Sequence, residues 1–296
     1  MSNSRPSLVK KEYSEIFRQC VAEVLGTFIL VFFGVGSVHA AVITGAQVGL
    51  WQVAVVWGIG IALAIYATSA ISGAHLNPAI TLSLAVYRNF SWRKVAPYII
   101  SQFIGAVLAA LVLFCVFHNL IAAFEASKNL IRGGTGSELS GMVYGEYFPN
   151  PVMISSTPAL ATVTMPLAMF AEMLGTAMLA FIIFAVTDNN NPGRPASNLA
   201  PLFIGLTVSL LISLLAPISQ AGFNPARDFG PRLVAYFAGW GSVAIPGPQG
   251  GFFTVYILSP IIGAIIGGGL YQFILRLTYT EDMVCMLDAE ECDERG

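Results

Sequence analysis

The fold is decided by the stretch Ala221-Gly222-Phe223-Asn224-Pro225-Ala226-Arg227-Asp228, which has an upstream counterpart in Gly73-Ala74-His75-Leu76-Asn77-Pro78-Ala79. Asparagine favours the N-cap of a helix, because its side-chain oxygen accepts hydrogen bonds from the free N–H groups of the first turn. Proline suits the next position, where its missing N–H leaves no hydrogen bond unmade. Each Asn-Pro-Ala segment therefore predicts the start of a helix.

The two stretches belong to a duplicated chain. The segment Ala22-Glu23-Val24-Leu25-Gly26-Thr27 recurs 149 positions later as Ala171-Glu172-Met173-Leu174-Gly175-Thr176, and Asn224 follows Asn77 by 147 positions. Two independent pairs at nearly the same offset indicate an internal repeat. Repeats of this kind are typical of membrane channels and transporters, in which the functional site lies at the repeat interface.

The composition indicates a multi-pass membrane protein. Of the 296 residues, 56% are hydrophobic and 10% are charged, whereas soluble domains carry about 25% charged residues. The mean hydropathy is +0.74. The net charge of −2 favours no nucleic-acid partner. The four cysteines have neither metal-ligand nor disulfide-framework spacing, so no metal or cofactor is predicted; they are Cys20, Cys115, Cys285 and Cys292. No nucleophile–base pair lies at membrane depth, and we expect no enzyme.

The apolar runs predict an all-α membrane protein with six transmembrane helices and two re-entrant half-helices. The six spans are predicted at about residues 20–42, 51–71, 95–117, 166–186, 199–217 and 252–277. The apolar segments at 77–87 and 224–237 are shorter than the twenty or so residues that a bilayer requires. Such a segment must enter and return where protein or a water-filled cavity surrounds its backbone.

The predicted organisation has three parts. Residues 1–17 form a polar N-terminal segment, residues 18–277 a membrane domain, and residues 278–296 an acidic tail. Within the membrane domain, repeat one covers about residues 18–117 and repeat two about residues 166–277. A long polar loop at residues 118–165 joins the two repeats.

The number of spans and the basic residues predict an orientation. Each repeat has three full spans, so the second repeat enters the membrane from the opposite side, and the Asn-Pro-Ala ends face each other near the midplane. Ten of the fourteen basic residues then lie on the side of both termini: Arg5, Lys10, Lys11, Arg18, Arg88, Arg93, Lys94, Arg194, Arg276 and Arg295. The positive-inside rule places both termini in the cytoplasm, in a plasma or inner membrane.

Paired Asn-Pro-Ala boxes in a duplicated six-span chain resemble the major intrinsic protein family, the aquaporins and glycerol facilitators, from about residue 18 to residue 277. Within that family, the order Asn224-Pro225-Ala226-Arg227-Asp228 with Arg232 four positions on resembles the glycerol-facilitator branch. The segment Tyr147-Phe148-Pro149-Asn150-Pro151 in the long loop indicates the same branch. The resemblance implies a homotetramer in membrane lipid, with glycerol, water and similar neutral solutes as its partners.

The two half-helix starts are the candidate pore midplane. Asn77 and Asn224 each offer an amide donor at a helix N-terminus, and each helix adds about half a positive charge there. As in channels of this family, a water molecule that accepts from both amides breaks a continuous proton wire, and the positive field repels cations. The midplane set consists of Asn77, Pro78, Ala79, Asn224, Pro225 and Ala226.

A second candidate site is a constriction near the outer mouth. Arg227 lies one turn into the second half-helix, and an arginine at membrane depth needs water or polar partners. By family spacing the other corners are Trp57, Ile212 and Ala221. This combination departs from glycerol facilitators, which often have an aromatic residue at position 221 and a small one at 212. It resembles the plant nodulin-like branch, which passes water, glycerol and in some cases metalloid acids.

Four further residues are predicted to support the site. Glu23 and Glu172 are repeated acids within spans, and we expect each carboxylate to accept N–H groups of an unwound loop. We expect Asp228 to brace Arg232 or the loop before the second half-helix, without touching the solute. We expect His75 either to pack in its loop or to line the inner vestibule or gate the channel with pH.

Three functions stay open at this point. The first is a passive channel for glycerol, water and other small neutral solutes that excludes ions. The second is a water-dominated or metalloid-acid channel of the same family. The third is a proton-coupled transporter, which needs a titrating group at membrane depth, and only Glu23 and Glu172 qualify.

Overall fold

A computed structural model describes the backbone of residues 8–279 and the side-chain environments from residue 14 onwards. Within that range six helices are long and apolar enough to cross a membrane, as the sequence predicts. In chain order the helices are α1 (Leu8–Val42), α2 (Leu50–Ser72), α3 (Pro78–Tyr87), α4 (Trp92–Ser127), α5 (Glu138–Gly141), α6 (Pro151–Ile154), α7 (Met165–Thr187), α8 (Ala200–Ser219), α9 (Pro225–Ala235) and α10 (Ser259–Leu270). The sixth membrane helix continues beyond α10 on both sides as the π-helical segments Thr254–Leu258 and Tyr271–Leu275.

The two short helices begin where the sequence predicts. The side-chain oxygen of Asn77 accepts the N–H of Ala79 at 2.8 Å. That of Asn224 accepts the N–H groups of Ala226 at 3.0 Å and Arg227 at 3.3 Å. Proline occupies the first position of both α3 and α9. Capping of this kind stabilises a helix by about 1 kcal/mol.

The packing of the helices repeats between the two halves of the chain. Helix α1 packs against α2 and α4, and α7 packs in the same way against α8 and α10. The half-helices are exchanged: α3 packs against α10 of the second repeat, and α9 packs against α4 of the first. Helices α2 and α8 cross each other at the repeat interface, which confirms the predicted inverted repeat.

Two glycines permit the crossing of α2 and α8. A Cβ atom on Gly58 would lie 2.5 Å from the carbonyl oxygen of Gly205, and a Cβ on Gly205 would meet the carbonyl of Gly58. Gly58 and Gly205 are themselves equivalent positions of the repeat, 147 residues apart. Close backbone contact at small residues is the usual basis of helix association in membranes.

The outer surface is apolar along the spans and aromatic near their ends. Leucine, isoleucine and valine side chains of α1, α2, α4, α7 and α8 are exposed on the faces that point away from the neighbouring helices. Trp51 and Trp92, near the starts of α2 and α4, are 57% and 61% exposed. Tryptophan concentrates at the boundary between lipid and water. The chain is therefore an integral membrane protein.

The structure differs from the sequence prediction in three places. Helix α1 begins at Leu8, inside the predicted N-terminal segment. Helix α4 continues to Ser127, ten residues beyond the predicted end of the third span, because the buried Glu125 is paired with Arg132 at 2.8 Å. The connection after it is folded, and all of residues 141–150 are buried. Residues 1–7 and most of the predicted acidic tail, with Cys285 and Cys292, lie outside the described residues.

Candidate functional site

A cavity of about 410 Å³ follows the interface between the two repeats. It extends from Trp57 and Arg227 past Asn77 and Asn224 to Thr187 and Ser197. One wall is aliphatic, formed by Leu30, Ile61, Ile65, Ile80, Leu179, Ile204 and Val208. The residues that precede the two asparagines, 73–76 and 221–223, form another part of the wall. The cavity therefore combines an apolar surface with backbone and amide groups.

Asn77 and Asn224 tie the two repeats together at the middle of this cavity. The Nδ2 of Asn77 donates to the carbonyl oxygen of Phe223 at 2.9 Å, and the Nδ2 of Asn224 donates to that of Leu76 at 2.8 Å. The bonds are reciprocal, so each repeat completes the site of the other. An amide carries two N–H donors, and each asparagine retains one for the cavity beside its bond to the other repeat.

Glu23 holds the loop before α3. Its Oε1 accepts the hydroxyl of Ser72 at 2.6 Å and the N–H of His75 at 2.9 Å. Its Oε2 accepts the N–H of Leu76 and the Nε2 of Gln102, both at 2.8 Å. Buried backbone N–H groups require acceptors, and this one carboxylate supplies them to a loop that has no helical hydrogen bonds.

Glu172 has the same role in the loop before α9. Its Oε1 accepts the hydroxyl of Ser219 at 2.6 Å and the N–H of Gly222 at 2.9 Å. Its Oε2 accepts the N–H of Phe223 at 2.7 Å. Both glutamates are fully buried. The repeated Ala-Glu-x-Leu-Gly-Thr segments thus place equivalent carboxylates behind the two loops.

Arg227 lies between an aromatic ring and a carboxylate. Its guanidinium carbon is 4.2 Å from the centre of the Trp57 ring, a cation–π contact. On another side the guanidinium forms an ion pair with Glu146, which is 4% exposed. Ile212 and Ala221 line the same cavity as Trp57 and Arg227. All four residues predicted for the constriction therefore line this one cavity.

Glu146 is fixed by two further charged residues of α9, Asp228 and Arg232. Asp228 accepts the N–H of Glu146 at 2.7 Å and pairs with Arg232 at 2.9 Å. Arg232 in turn donates to the carbonyl oxygen of Glu146. The neighbouring Tyr147 donates its hydroxyl to Val243 at 2.9 Å, and burial raises the pKa of Tyr147 to about 12. The loop is thus locked onto α9.

Of the other predicted residues, one lines the cavity and the rest are buried outside its lining. Pro78, Ala79, Pro225 and Ala226 are buried in the first turns of α3 and α9 and lie outside the cavity lining. His75 lines the cavity, and its ring packs against Phe90 and Tyr98 at 4.5 and 4.9 Å between ring centres. Asp228 is buried behind Arg227 and pairs with Arg232.

Glu146 is a site residue that was not among those predicted from the sequence. It is the one acidic residue between positions 139 and 164, and it follows the apolar run Met142-Val143-Tyr144. A lone carboxylate in such surroundings is buried only when it has a partner. That pattern could have indicated an ion pair, although it does not identify Arg227 as the partner.

Comparison with known proteins defines the class of this fold and site. The sequence profile of the Major intrinsic protein family matches residues 10–271, and the chain belongs to that family. It is 42% identical over 275 residues to the glycerol uptake facilitator protein of Shigella flexneri, which covers 92% of this chain and 93% of the relative. The corresponding protein of Escherichia coli K12 is 41% identical over the same shares.

Two further proteins extend the comparison. The propanediol uptake facilitator PduF of Citrobacter freundii is 39% identical over 274 residues, with 92% of this chain and 97% of the relative covered. The X-ray structure of the aquaglyceroporin from Plasmodium falciparum superposes with a TM-score of 0.74 at 22% identity, covering 92% of this chain and 99% of that one. At this identity the likeness is one of fold.

Proposed function

We propose that this protein is a passive channel for glycerol, and for water and other small neutral solutes, that excludes protons and ions. The observation that carries the proposal is the continuous cavity between the repeats, with an aliphatic wall and with Arg227, Asn77 and Asn224 as donors. A polyol has a carbon edge and a hydroxyl edge, and both match this cavity. Relatives named glycerol uptake facilitators, at 41–42% identity over nearly the full chain, support the same solute.

The constriction in this proposal consists of Trp57, Ile212, Ala221 and Arg227. The ring of Trp57 offers its face to the carbon edge of the solute, and the guanidinium of Arg227 donates to the hydroxyl groups. Ala221 is small where many glycerol facilitators have an aromatic residue, and Ile212 restores part of the lost bulk. The net opening admits a three-carbon polyol.

The ion barrier in this proposal has two parts. Asn77 and Asn224, at the converging starts of α3 and α9, donate to a passing water or hydroxyl and interrupt proton transfer, with Pro78, Ala79, Pro225 and Ala226 shaping the helix starts. The positive field there and the charge of Arg227 oppose cations. Glu23, Glu172 and Asp228 act as structural supports, and His75 lines the vestibule.

The orientation we propose follows the positive-inside rule. Arg88 at the end of α3 and Arg276 at the end of the last helix both bond Asp188, at 3.2 and 3.0 Å. We place this end in the cytoplasm, together with residues 1–17 and the tail 278–296. The channel domain is then residues 18–277, and the working form is a homotetramer in the plasma or inner membrane.

The function is tested by stopped-flow light scattering on proteoliposomes. We expect glycerol and water to enter at rates proportional to their gradients, without an effect of an imposed pH difference. Vesicles that pass water and exclude glycerol would establish the water-dominated alternative, and preferential passage of a metalloid acid the other. Solute accumulation that depends on a pH gradient would establish a coupled transporter. Cysteine labelling near Arg93 and Lys128 from each side tests the orientation.

A further inference from the structure

Gln220 occupies a backbone conformation that glycine would adopt at lower energy. It ends α8 with φ of 61° and ψ of −1°, and the next residue, Ala221, has φ of 64°. The left-handed region is unfavourable for residues with a Cβ atom. Gln220 is nevertheless a buried residue with a long polar side chain, 8% exposed. We therefore expect contacts of the Gln220 side chain that offset the strain of its backbone.

Those contacts are with the loop that carries Glu146. The Oε1 of Gln220 accepts the N–H of Tyr147 at 2.7 Å, and its Nε2 donates to the carbonyl oxygen of Met142 at 3.4 Å. One side-chain amide thus holds the loop on both sides of Glu146. Gln220 is also the residue directly before Ala221, which we place in the constriction.

The first of these bonds determines the orientation of one peptide group. The peptide between Glu146 and Tyr147 is planar, and both of its polar ends are held. Its carbonyl oxygen accepts from Arg232 and its N–H donates to Gln220. Because Asp228 also holds the N–H of Glu146, the peptide groups on both sides of Glu146 are held, and together they fix the direction of its side chain, whose carboxylate pairs with Arg227.

We propose that Gln220 is a positioning residue of the constriction: it holds Glu146 against Arg227 and so sets where the guanidinium lies along the ring of Trp57. This inference rests on the proposed channel function. Without the Gln220 bond, Asp228 still holds the N–H of Glu146 and Arg232 its carbonyl oxygen, but the N–H of Tyr147 loses its acceptor and the peptide after Glu146 is held at one end only. The carboxylate of Glu146 is then less firmly placed against Arg227, and the guanidinium obstructs a three-carbon solute more than it obstructs water.

A double-mutant cycle separates this role from a simple contribution to stability. Gln220→Met keeps an unbranched side chain of similar length and removes both hydrogen bonds. Glu146→Gln removes the charge that attracts Arg227. The matched control is Gln249→Met, because Gln249 is an exposed glutamine in the loop before the last helix. Glycerol and water permeabilities are measured in proteoliposomes for the wild type, both single variants, the double variant and the control, per folded channel.

We expect Gln220→Met to lower glycerol permeability about fivefold, the factor that corresponds to the net contribution of one hydrogen bond, with little change for water and none in the control. In the Glu146→Gln background the same substitution should add no further loss, because residues that act through one another are non-additive. Independent, additive losses would overturn the inference, and so would an unchanged ratio of glycerol to water permeability in Gln220→Met.

Two further variants keep the test decisive if a protein fails to fold. Gln220→Asn tolerates the left-handed conformation and lacks the methylene needed to reach Tyr147, so it should reproduce Gln220→Met. Glu146→Ala, which also removes the carboxylate, replaces Glu146→Gln in the same cycle. If the wild type excludes glycerol, the proposed function fails. The same cycle is then measured with the largest neutral solute that the wild type does conduct, and additive losses for that solute overturn the inference.

Discussion

Replacing Glu172 by glutamine tests whether the buried carboxylates are supports or proton carriers. In the wild type, one oxygen of Glu172 accepts from Ser219 and Gly222 and the other from Phe223. A glutamine has one accepting oxygen, and its NH₂ group can only donate. In either orientation the NH₂ group faces a backbone N–H, that of Gly222 or that of Phe223, and leaves it without an acceptor.

The expected loss can be worked from that unpaired group. A buried donor without a partner costs about 1–3 kcal/mol. Two other changes oppose each other: the remaining bonds lose the strength of a charged acceptor, and a buried charge is removed from the protein interior. We therefore expect Glu172→Gln to lower the free energy of unfolding by about 1–3 kcal/mol. Glu23→Gln should lose a similar amount of stability, because its NH₂ group would likewise leave the backbone N–H of either His75 or Leu76 without an acceptor.

The assay is equilibrium unfolding in mixed detergent micelles, followed by tryptophan fluorescence. Glu15→Gln serves as the control, because Glu15 is exposed and its contact with Lys94 is 3.5 Å, so its loss should stay below about 1 kcal/mol. Glycerol flux per folded channel is measured with and without a pH difference. If Glu172→Gln is as stable as the wild type but abolishes a pH-driven flux, the supporting role is wrong and a proton-carrying role replaces it.

Three other substitutions test the constriction and the proposed cytoplasmic end. Ala221→Phe should narrow the opening and reduce glycerol permeability more than water permeability in proteoliposomes; an equal reduction of both would contradict the constriction. Arg227→Val should admit a proton leak, seen with an entrapped pH dye, in a channel that still conducts water. An unchanged barrier to protons would argue against an electrostatic role of Arg227 in excluding them. Burial alone would raise the pKa of Asp188, but the Asn190 N–H and Arg88 hold that pKa below its ordinary value. The stability that this pairing contributes is present above about pH 4 and is lost as the pH falls through the lower folded-state pKa. Asp188→Asn should therefore be less stable than the wild type at pH 7, and the difference should shrink under acid conditions. Thermal unfolding in detergent measures this, and a stability difference that does not change with pH would contradict the account.

The helices and their order follow from local sequence, and for that reason they were predictable. Apolar runs of membrane length give the six spans, and Asn77 with Asn224 gives the starts of α3 and α9 through capping geometry alone. The repeat then pairs equivalent positions, so Glu23 and Glu172 could be assigned to the two loops before any contact was known.

The connection between the repeats was not predictable in the same way. Residues 141–150 form no long helix, and their burial depends on bonds to Gln220 and Asp228, more than 70 positions away in the chain. Neither periodicity nor capping carries information about such partners. The extension of α4 has a similar cause. Glu125 can be buried near the end of α4 because Arg132, seven positions later, folds back and pairs with its carboxylate.

The exchange of the half-helices has a consequence for how the protein is made. Helix α3 packs against α10, and Asn77 bonds Phe223, so the first half of the chain leaves the ribosome with its re-entrant segment lacking both partners. The first Asn-Pro-Ala segment can reach its final place only after the last span has been synthesised and inserted. The contacts of the first re-entrant segment are therefore complete only when the last membrane helix is in place.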